Sequence, residues 1–316
     1  MKVLANDGIS ESGKIYLEKA GFEVLNTKVA QEQLANFINE NAIDALLVRS
    51  ATEVNKGLID KCTSLKLIGR GGVGMDNIAV EYAKAKGVHV INTPDASSSS
   101  VAELVFAHLY GGVRYLYDAN RNMPLEGDSK FKQLKKAYAQ GIELRGKTLG
   151  IIGFGRIGQE VAKLALGVGM KVVFTDHHEE ERLIEISFFD GQKVKFQFQN
   201  NTLEDVLRTA DFISIHVPSQ NDYVIGASEF EQMKDGVGII NASRGGTLDE
   251  VALVSALGSG KVGFAGLDVF ESEPNPEIRV LMHPNISLTP HIGASTKEAQ
   301  DRIGLELATQ ITTLLN

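Results

Sequence analysis

Cysteine is almost missing from this chain: among 316 residues only Cys62 carries a thiol, so no internal disulfide can form. A chain of this length buries a sizeable core without one, and such thiol usage fits a reducing compartment. Cys62 lies in an apolar helical stretch and reads as a packed thiol rather than a reactive one. Positive charge is also in deficit. The formal net charge is −8, which argues against a nucleic-acid or anionic-membrane surface, because phosphate-rich partners are met by clustered Lys and Arg. A local basic pocket for a small anion stays compatible with it. Long apolar runs are missing too: none approaches the roughly 18 to 20 residues of a membrane span. The N-terminal MKVLANDG turns polar too soon for a secretory signal. The expectation is a cytoplasmic protein with neither nucleic acid nor membrane as partner. What is present is ordinary for a globular chain, 43% hydrophobic and 23% charged residues, with no internal repeat.

Short apolar runs alternate with amphipathic stretches. Lys2–Ala5, Phe22–Leu25, Ala45–Val48, Leu65–Gly69 and His89–Asn92 read as strands, with helices between them such as Gln31–Glu40 and Ile78–Lys86. A second series of strands begins at Thr148 and continues at Lys171–Thr175, Phe212–Val217, Gly238–Ala242, Phe264–Val269 and Ile286–Thr289. Strands that are apolar throughout and alternate with helices predict parallel sheets covered on both faces.

Between the two series, Ser100-x-x-Glu103 has capping-box spacing, and a long helix is expected to run to about Asn120. His108 lies on its apolar face and reads as a packed histidine, since no metal-spaced partner is near it in sequence. Gly111-Gly112 would admit another backbone closely. Residues 122–146 are polar and basic, with Lys130, Lys132, Lys135 and Lys136, and read either as a solvated loop and helix face or as a lid or intersubunit arm that offers charge to a substrate phosphate. Ile184–Phe188 and Lys193–Phe198 alternate with period two around Asp190-Gly191, which predicts a β-hairpin inserted at the edge of the second sheet. A last helix is expected from Thr296, capped through Ser295-x-x-Glu298, with Ile303, Leu307, Ile311 and Leu314 as its stripe.

The segment TLGIIGFGRIGQEVAKLA reads as strand, glycine turn and helix. Gly153, Gly155 and Gly158 form G-x-G-x-x-G: the first makes the turn, the second admits a pyrophosphate, and the third lets helix and strand pack closely. Helix N-terminal amides would face the phosphates, and Arg156 could touch them. Asp176 ends the next strand, 176 − 158 = 18 residues past the last glycine. A carboxylate there accepts hydrogen bonds from the adenosine ribose and repels a 2′-phosphate. No arginine follows it in His177–Glu181, so the expected cofactor is NAD rather than NADP.

Three further segments lie at or beyond predicted strand ends. NASRGG carries Arg244, whose guanidinium can clamp a carboxylate. LDVFESEP carries Asp268, Glu271 and Glu273, and LTPHIGAST carries His291. Oxidising a secondary alcohol needs a hydride acceptor and a base, and histidine suits proton exchange near neutrality. A neighbouring carboxylate favours its protonated form and fixes its orientation.

Taken in order, LLVRSAT, LIGRGGVGMDNI, VINTPDASSSSVAELVFAHL, GIIGFGRIGQEVA, ISIHVP, NASRGG, LDVFESEP and LTPHIGAST make the chain resemble the D-isomer-specific 2-hydroxyacid dehydrogenase family, and within it the phosphoglycerate dehydrogenases. The resemblance implies two doubly wound parallel-sheet domains, a flavodoxin-like substrate domain (1–96 and 292–316) and a Rossmann NAD-binding domain (97–291, with the hairpin near 184–198), with a cleft between them. It implies that Arg244 binds the substrate's carboxylate and carbonyl, that His291 takes the hydroxyl proton, and that Glu273 pairs with His291. NAD contacts would fall at Arg156, Ile157, Asp176, Val217, Pro218, Ala242, Asp268 and Gly293. Arg49, Ser50, Arg70, Gly72 and Val73 would bind a small phosphorylated 2-hydroxy acid. Ala51 stands where some relatives have a second arginine, which weakens that phosphate site. The implied reaction is NAD-dependent oxidation of 3-phospho-D-glycerate, opening serine synthesis. The alternatives are a reductase of an unphosphorylated 2-keto acid (glyoxylate or hydroxypyruvate type) and a dinucleotide-sensing corepressor-like protein. Family members pair through the long helix after Ser97, so a homodimer or homotetramer is expected. Many relatives carry a C-terminal regulatory domain; with Asn316 last here, feedback through one is not expected.

Overall fold

The structure is a computed structural model that describes residues 1–178 and 180–315. The chain forms two compact units, one of residues 1–100 with the stretch from Ala294 onward, the other Val101–Gly293.

The first unit holds strands β1 (Lys2–Ala5), β2 (Glu23–Leu25), β3 (Ala45–Val48), β4 (Leu67–Arg70) and β5 (His89–Asn92), and helices α1 (Glu11–Lys19), α2 (Leu34–Glu40), α3 (Lys56–Lys61) and α4 (Val80–Ala85). The sheet is parallel in the order β2-β1-β3-β4-β5. The central strand β3 is apolar and buried throughout because both faces are covered. Leu4, Leu46, Val48 and Ile68 pack with Leu34, Ile38, Leu58 and Ala83 on one side. Val3, Ala45, Leu47 and Leu67 pack with Leu17 and the C-terminal helix on the other. The strand order reverses between β1 and β3, where doubly wound sheets open a crevice at their carboxyl ends.

The second unit continues with α5 (Ser98–Val113), α6 (Leu116–Glu126), α7 (Phe131–Ala137), β6 (Thr148–Ile152), α8 (Arg156–Gly167), β7 (Lys171–Thr175), β8 (Glu181–Ser187), β9 (Lys193–Gln199), α9 (Leu203–Thr209), β10 (Phe212–Ile215), α10 (Ala227–Gln232), β11 (Val237–Asn241), α11 (Glu250–Ser259), β12 (Val262–Leu267), α12 (Ile278–Leu281) and β13 (Ile286–Leu288). Six strands form a parallel sheet in the order β13-β12-β11-β10-β6-β7, and β8 and β9 form a separate antiparallel pair. The hairpin meets the edge strand β7 through one parallel bridge, Phe174 to Asn200. Ile184 is buried in the core beside Phe154 and Phe174. The chain ends with α13 (Lys297–Leu315), which belongs to the first unit.

Several local expectations change. The long helix does not reach Asn120: it breaks at Tyr115, which takes a left-handed conformation (φ 54°) and starts α6. Ser100 is not a cap. It lies in the first turn of α5, and its hydroxyl bonds Thr296 Oγ1 at 2.8 Å. Ser295 does not cap α13 either; the Ala299 N–H donates to Thr296 Oγ1 at 3.1 Å, so the start is one residue later. The stripe of α13 therefore ends on buried Leu315, and Leu314 is exposed. Gly112 meets a side chain rather than a backbone, since a Cβ there would lie 2.1 Å from the Phe264 ring. Cys62 is buried, and among the described residues no helix is long and apolar enough to cross a membrane.

Candidate active site

All six strands of the second sheet run the same way, so the loops after them open at one end. Gly153 follows β6, Asp176 follows β7, and Val217 and Pro218 follow β10. Ala242 and Arg244 follow β11, Asp268 and Glu273 follow β12, and His291 and Gly293 follow β13. This is the end at which open parallel sheets take their ligands.

The glycine turn has the shape its spacing predicts. Gly153 sits at φ +88°, a conformation that disfavours a side chain. Gly155 is the N-cap of α8, offers no side-chain cap, and leaves open space where a Cβ would be. A Cβ on Gly158 would lie 2.3 Å from the Gly153 carbonyl oxygen, so the helix can approach only without one. Exposed Arg156 and half-buried Ile157 begin the helix, whose first-turn N–H groups have no acceptor within the helix itself. The Asp176 carboxylate accepts the Phe154 N–H at 2.6 Å and the His178 N–H at 2.8 Å. A carboxylate accepts about four hydrogen bonds, so ribose hydroxyls can still be bound. The uncapped helix end, the open Gly155 and the carboxylate at the tip of β7 together fit a dinucleotide.

His291 and Glu273 come together as expected. His291 Nδ1 and Glu273 Oε2 are 2.8 Å apart, and the other carboxylate oxygen accepts the Phe270 N–H at 3.0 Å. The pair lines one wall of a hollow of about 430 Å³, with Phe270, Leu281, Leu288 and Pro290 around it. His291 is a non-glycine residue at φ 53°. Strain of that kind persists only where neighbours impose it, and here Asp268 does so. Its buried carboxylate accepts Thr289 Oγ1–H at 2.7 Å, Ile292 N–H at 2.8 Å and Gly293 N–H at 2.9 Å. Its carbonyl accepts the His291 N–H at 2.8 Å. Asp268 and Gly293, expected at the cofactor, are thus bonded to each other in the histidine loop.

Arg244 is presented by a turn built on Asn241. The Asn241 amide donates to the Arg244 carbonyl at 3.0 Å, and its Oδ1 accepts the Ser243 N–H and hydroxyl at 3.1 and 2.8 Å. A Cβ on Gly245 would lie 1.9 Å from the Phe270 carbonyl oxygen, so the arginine turn packs directly on the loop that carries Glu273. Arg244 itself donates to the Ser243 carbonyl at 2.6 Å.

In the first unit, Arg49 follows β3 and Arg70 ends the neighbouring β4. Arg49 Cγ lies 3.6 Å from where a Gly71 Cβ would be, and Arg70 Nη1 lies 1.9 Å from the corresponding position on Gly72, so both side chains run over the 71–73 turn. Asn92 donates to the Val73 carbonyl at 2.7 Å, and Thr93 N–H to Gly72 at 3.1 Å. Exposed Ser50 lies in the loop after Arg49. Asp7 accepts the N–H groups of Arg49 and Thr52 at 2.7 and 3.2 Å, and Asn77 donates to the Arg49 carbonyl at 2.7 Å. Burial acts to raise the Asp7 pKa, but the Lys28 ammonium and these N–H and hydroxyl donors outweigh it, and the net effect is downward.

The sequence reading missed the residues that shape these loops: Asp7, Asn200 and Asn241. Their only signal is a polar side chain within two residues of a strand end. His108 is packed, as expected. Its ring bonds Ser287 Oγ at 2.8 Å and Thr289 Oγ1 at 3.1 Å, and burial lowers its pKa. Among the described residues, no group of three or more His, Cys, Asp or Glu could hold a metal ion.

A glycine turn at the reversal of strand order, a carboxylate at the tip of the next strand, and a histidine–carboxylate pair at the same sheet end define a dinucleotide-dependent oxidoreductase. Residues 106–293 match the NAD binding domain of the D-isomer specific 2-hydroxyacid dehydrogenases. The chain is 43% identical to a hydroxypyruvate reductase of Thermotoga maritima, over 98% of this chain and 97% of that protein. It is 39% identical to a D-3-phosphoglycerate dehydrogenase of Methanocaldococcus jannaschii, over 100% of this chain but 57% of that protein. Among solved structures, a glyoxylate reductase from Paecilomyes thermophila superposes with a TM-score of 0.80 at 28% identity, covering 98% of this chain and 93% of that one. The chain belongs to the D-isomer specific 2-hydroxyacid dehydrogenase family, and NAD is its cofactor. It spans little more than half the length of the phosphoglycerate dehydrogenases it matches.

Proposed function

We propose that this chain oxidises 3-phospho-D-glycerate to 3-phosphohydroxypyruvate. The observation that carries the phosphorylated substrate is the pair Arg49 and Arg70, at the ends of adjacent parallel strands and both running over the 71–73 turn. Two guanidinium groups supply the charge and the planar donors that a phosphate needs. NAD, when bound, accepts the hydride. The residues of the chain do the rest. Arg244 holds the carboxylate and polarises the adjacent carbonyl. His291 takes the hydroxyl proton, and Glu273 fixes the ring through Nδ1 and stabilises the charge it gains. Gly153, Gly155, Arg156, Ile157 and Gly158 cradle the pyrophosphate, and Asp176 binds the ribose. Val217, Pro218, Ala242, Asp268 and Gly293 border the cofactor. Ser50, Gly72 and Val73 border the substrate. Exposed Leu116, Leu125 and Phe131 on α6 and α7 support self-association of two copies through that segment.

A second reading has its own support. The Thermotoga maritima relative, named a hydroxypyruvate reductase, matches over nearly its whole length, and Ala51 stands where some relatives carry a second arginine. The experiment that separates them is a substrate panel run in both directions. It pairs NAD with 3-phosphoglycerate and a carbonyl trap, and NADH with hydroxypyruvate or glyoxylate. Turnover of the unphosphorylated acids alone sinks the first reading. Arg49→Ala should raise KM for the phosphorylated acid far more than for its unphosphorylated analogue.

A further inference from the structure

The β8–β9 hairpin is more than an edge insertion, because its return strand ends on the cofactor site. Asn200 directly follows β9, and its side chain pairs with the backbone of Asp176. The Asp176 N–H donates to Asn200 Oδ1 at 3.0 Å, and Asn200 Nδ2 donates to the Asp176 carbonyl at 2.8 Å. A carboxamide carries the same acceptor and donor as a peptide unit, so it adds a rung to the ladder one step past the Phe174–Asn200 bridge. The next residue repeats the grip: Asn201 donates its N–H and its amide to the Phe174 carbonyl at 3.0 and 3.2 Å. Asp176 lies beyond the last residue of β7, where the sheet alone no longer holds it.

The same hairpin reaches the glycine turn. Phe198 on β9 meets Phe154 edge-on at 6.2 Å between centroids. Phe154, between Gly153 and Gly155, stacks on Phe174 at 3.9 Å. The Phe154 N–H is also the donor that Asp176 Oδ2 accepts. Turn, aspartate and hairpin therefore form one closed set of contacts.

We propose that the hairpin is a positioning element for the adenosine-ribose site, with Asn200 holding Asp176 at the angle that favours NAD over NADP. The inference rests on the reading of Asp176 as the ribose ligand. Asn200 touches no ligand in this account; it acts through Asp176.

The test is a titration of NADH and NADPH by nucleotide fluorescence, independent of turnover, on the wild type and on Asn200→Ala, Asn200→Gln, Asp176→Ala and Phe189→Ser. Thermal unfolding confirms that each variant folds. Phe189 lies at the exposed hairpin tip and serves as the control. Loss of the paired bonds in Asn200→Ala should weaken NADH binding by about fivefold, the factor that corresponds to a net hydrogen-bond contribution of roughly 1 kcal/mol. NADPH binding should change less, so that preference narrows. Asn200→Gln keeps the carboxamide and should recover part of the loss, and Phe189→Ser should bind as the wild type does. Wild-type constants in folded Asn200→Ala, or equal weakening toward both nucleotides, would overturn the proposal while Asp176→Ala still loses preference. An unchanged preference in Asp176→Ala would instead overturn the ribose reading itself, and the proposal with it.

Discussion

His291 and Glu273 meet at 2.8 Å although each follows a different strand, β13 and β12. The carboxylate holds the ring through Nδ1, and in the proposed function Nε2 is the atom that takes the substrate's proton. His291→Ala is expected to lower kcat by about 10²- to 10⁴-fold, the range of general acid–base contributions, with NADH affinity close to wild type. Stopped-flow turnover beside nucleotide titration checks this, and equal loss of both would make the residue structural. Glu273→Gln should lower kcat less, because the amide still bonds the ring but carries no charge.

In the proposed function, Asp176 carries the discrimination against a 2′-phosphate. Asp176→Ala should bring the ratio of kcat/KM for NADH and NADPH closer to one by about tenfold or more, since each 1.4 kcal/mol is a factor of ten. A steady-state comparison of the two cofactors decides it.

Gly245 is where the arginine turn rests on the glutamate loop. A Cβ would sit 1.9 Å from the Phe270 carbonyl oxygen, so Gly245→Ala must push the two loops apart. A loss of about 1 to 3 kcal/mol of stability is expected from overpacking, together with a fall in kcat, because Arg244 and Glu273 move together. Unchanged unfolding and turnover would mean that the loops yield without effect.

His216 sets an acid limit on stability. Its Nε2 bonds Ser214 Oγ at 2.7 Å, while its Nδ1 is sealed from solvent without a partner among the described residues. Burial pushes its pKa down to about 3, against about 6.5 in an unfolded chain. Below pH 6.5 the unfolded state therefore binds the proton and the native state does not. Stability is full above that value and falls with pH, by up to about 1.4 kcal/mol per unit from this group, until the folded pKa is passed. His216→Asn should flatten unfolding free energy between about pH 6 and 4; an unaltered slope would contradict the assignment.

Much of this protein is legible along the chain. The alternation of apolar strands and helices gives two parallel sheets, because strands covered on both faces are apolar on both sides of their central residues. Gly153, Gly155, Gly158 and Asp176 are legible because a turn at positive φ, an open helix end and a carboxylate at a strand tip each demand a residue type at a fixed spacing. Arg244, Glu273 and His291 stand out as chemistry-bearing side chains beyond strand ends. The tertiary structure decided what the spacing leaves open. The bond between His291 and Glu273 depends on β12 and β13 being neighbours. The grip of Asn200 on Asp176 depends on where the hairpin returns, and the capping of α13 by Thr296 rather than Ser295 depends on a one-residue choice between two hydroxyls. Sequence spacing determines which groups a segment can offer. Which of them meet across 18 residues in one case and 24 in another is set by strand order and by loops pinned through Asp268, Asn241 and Asn200.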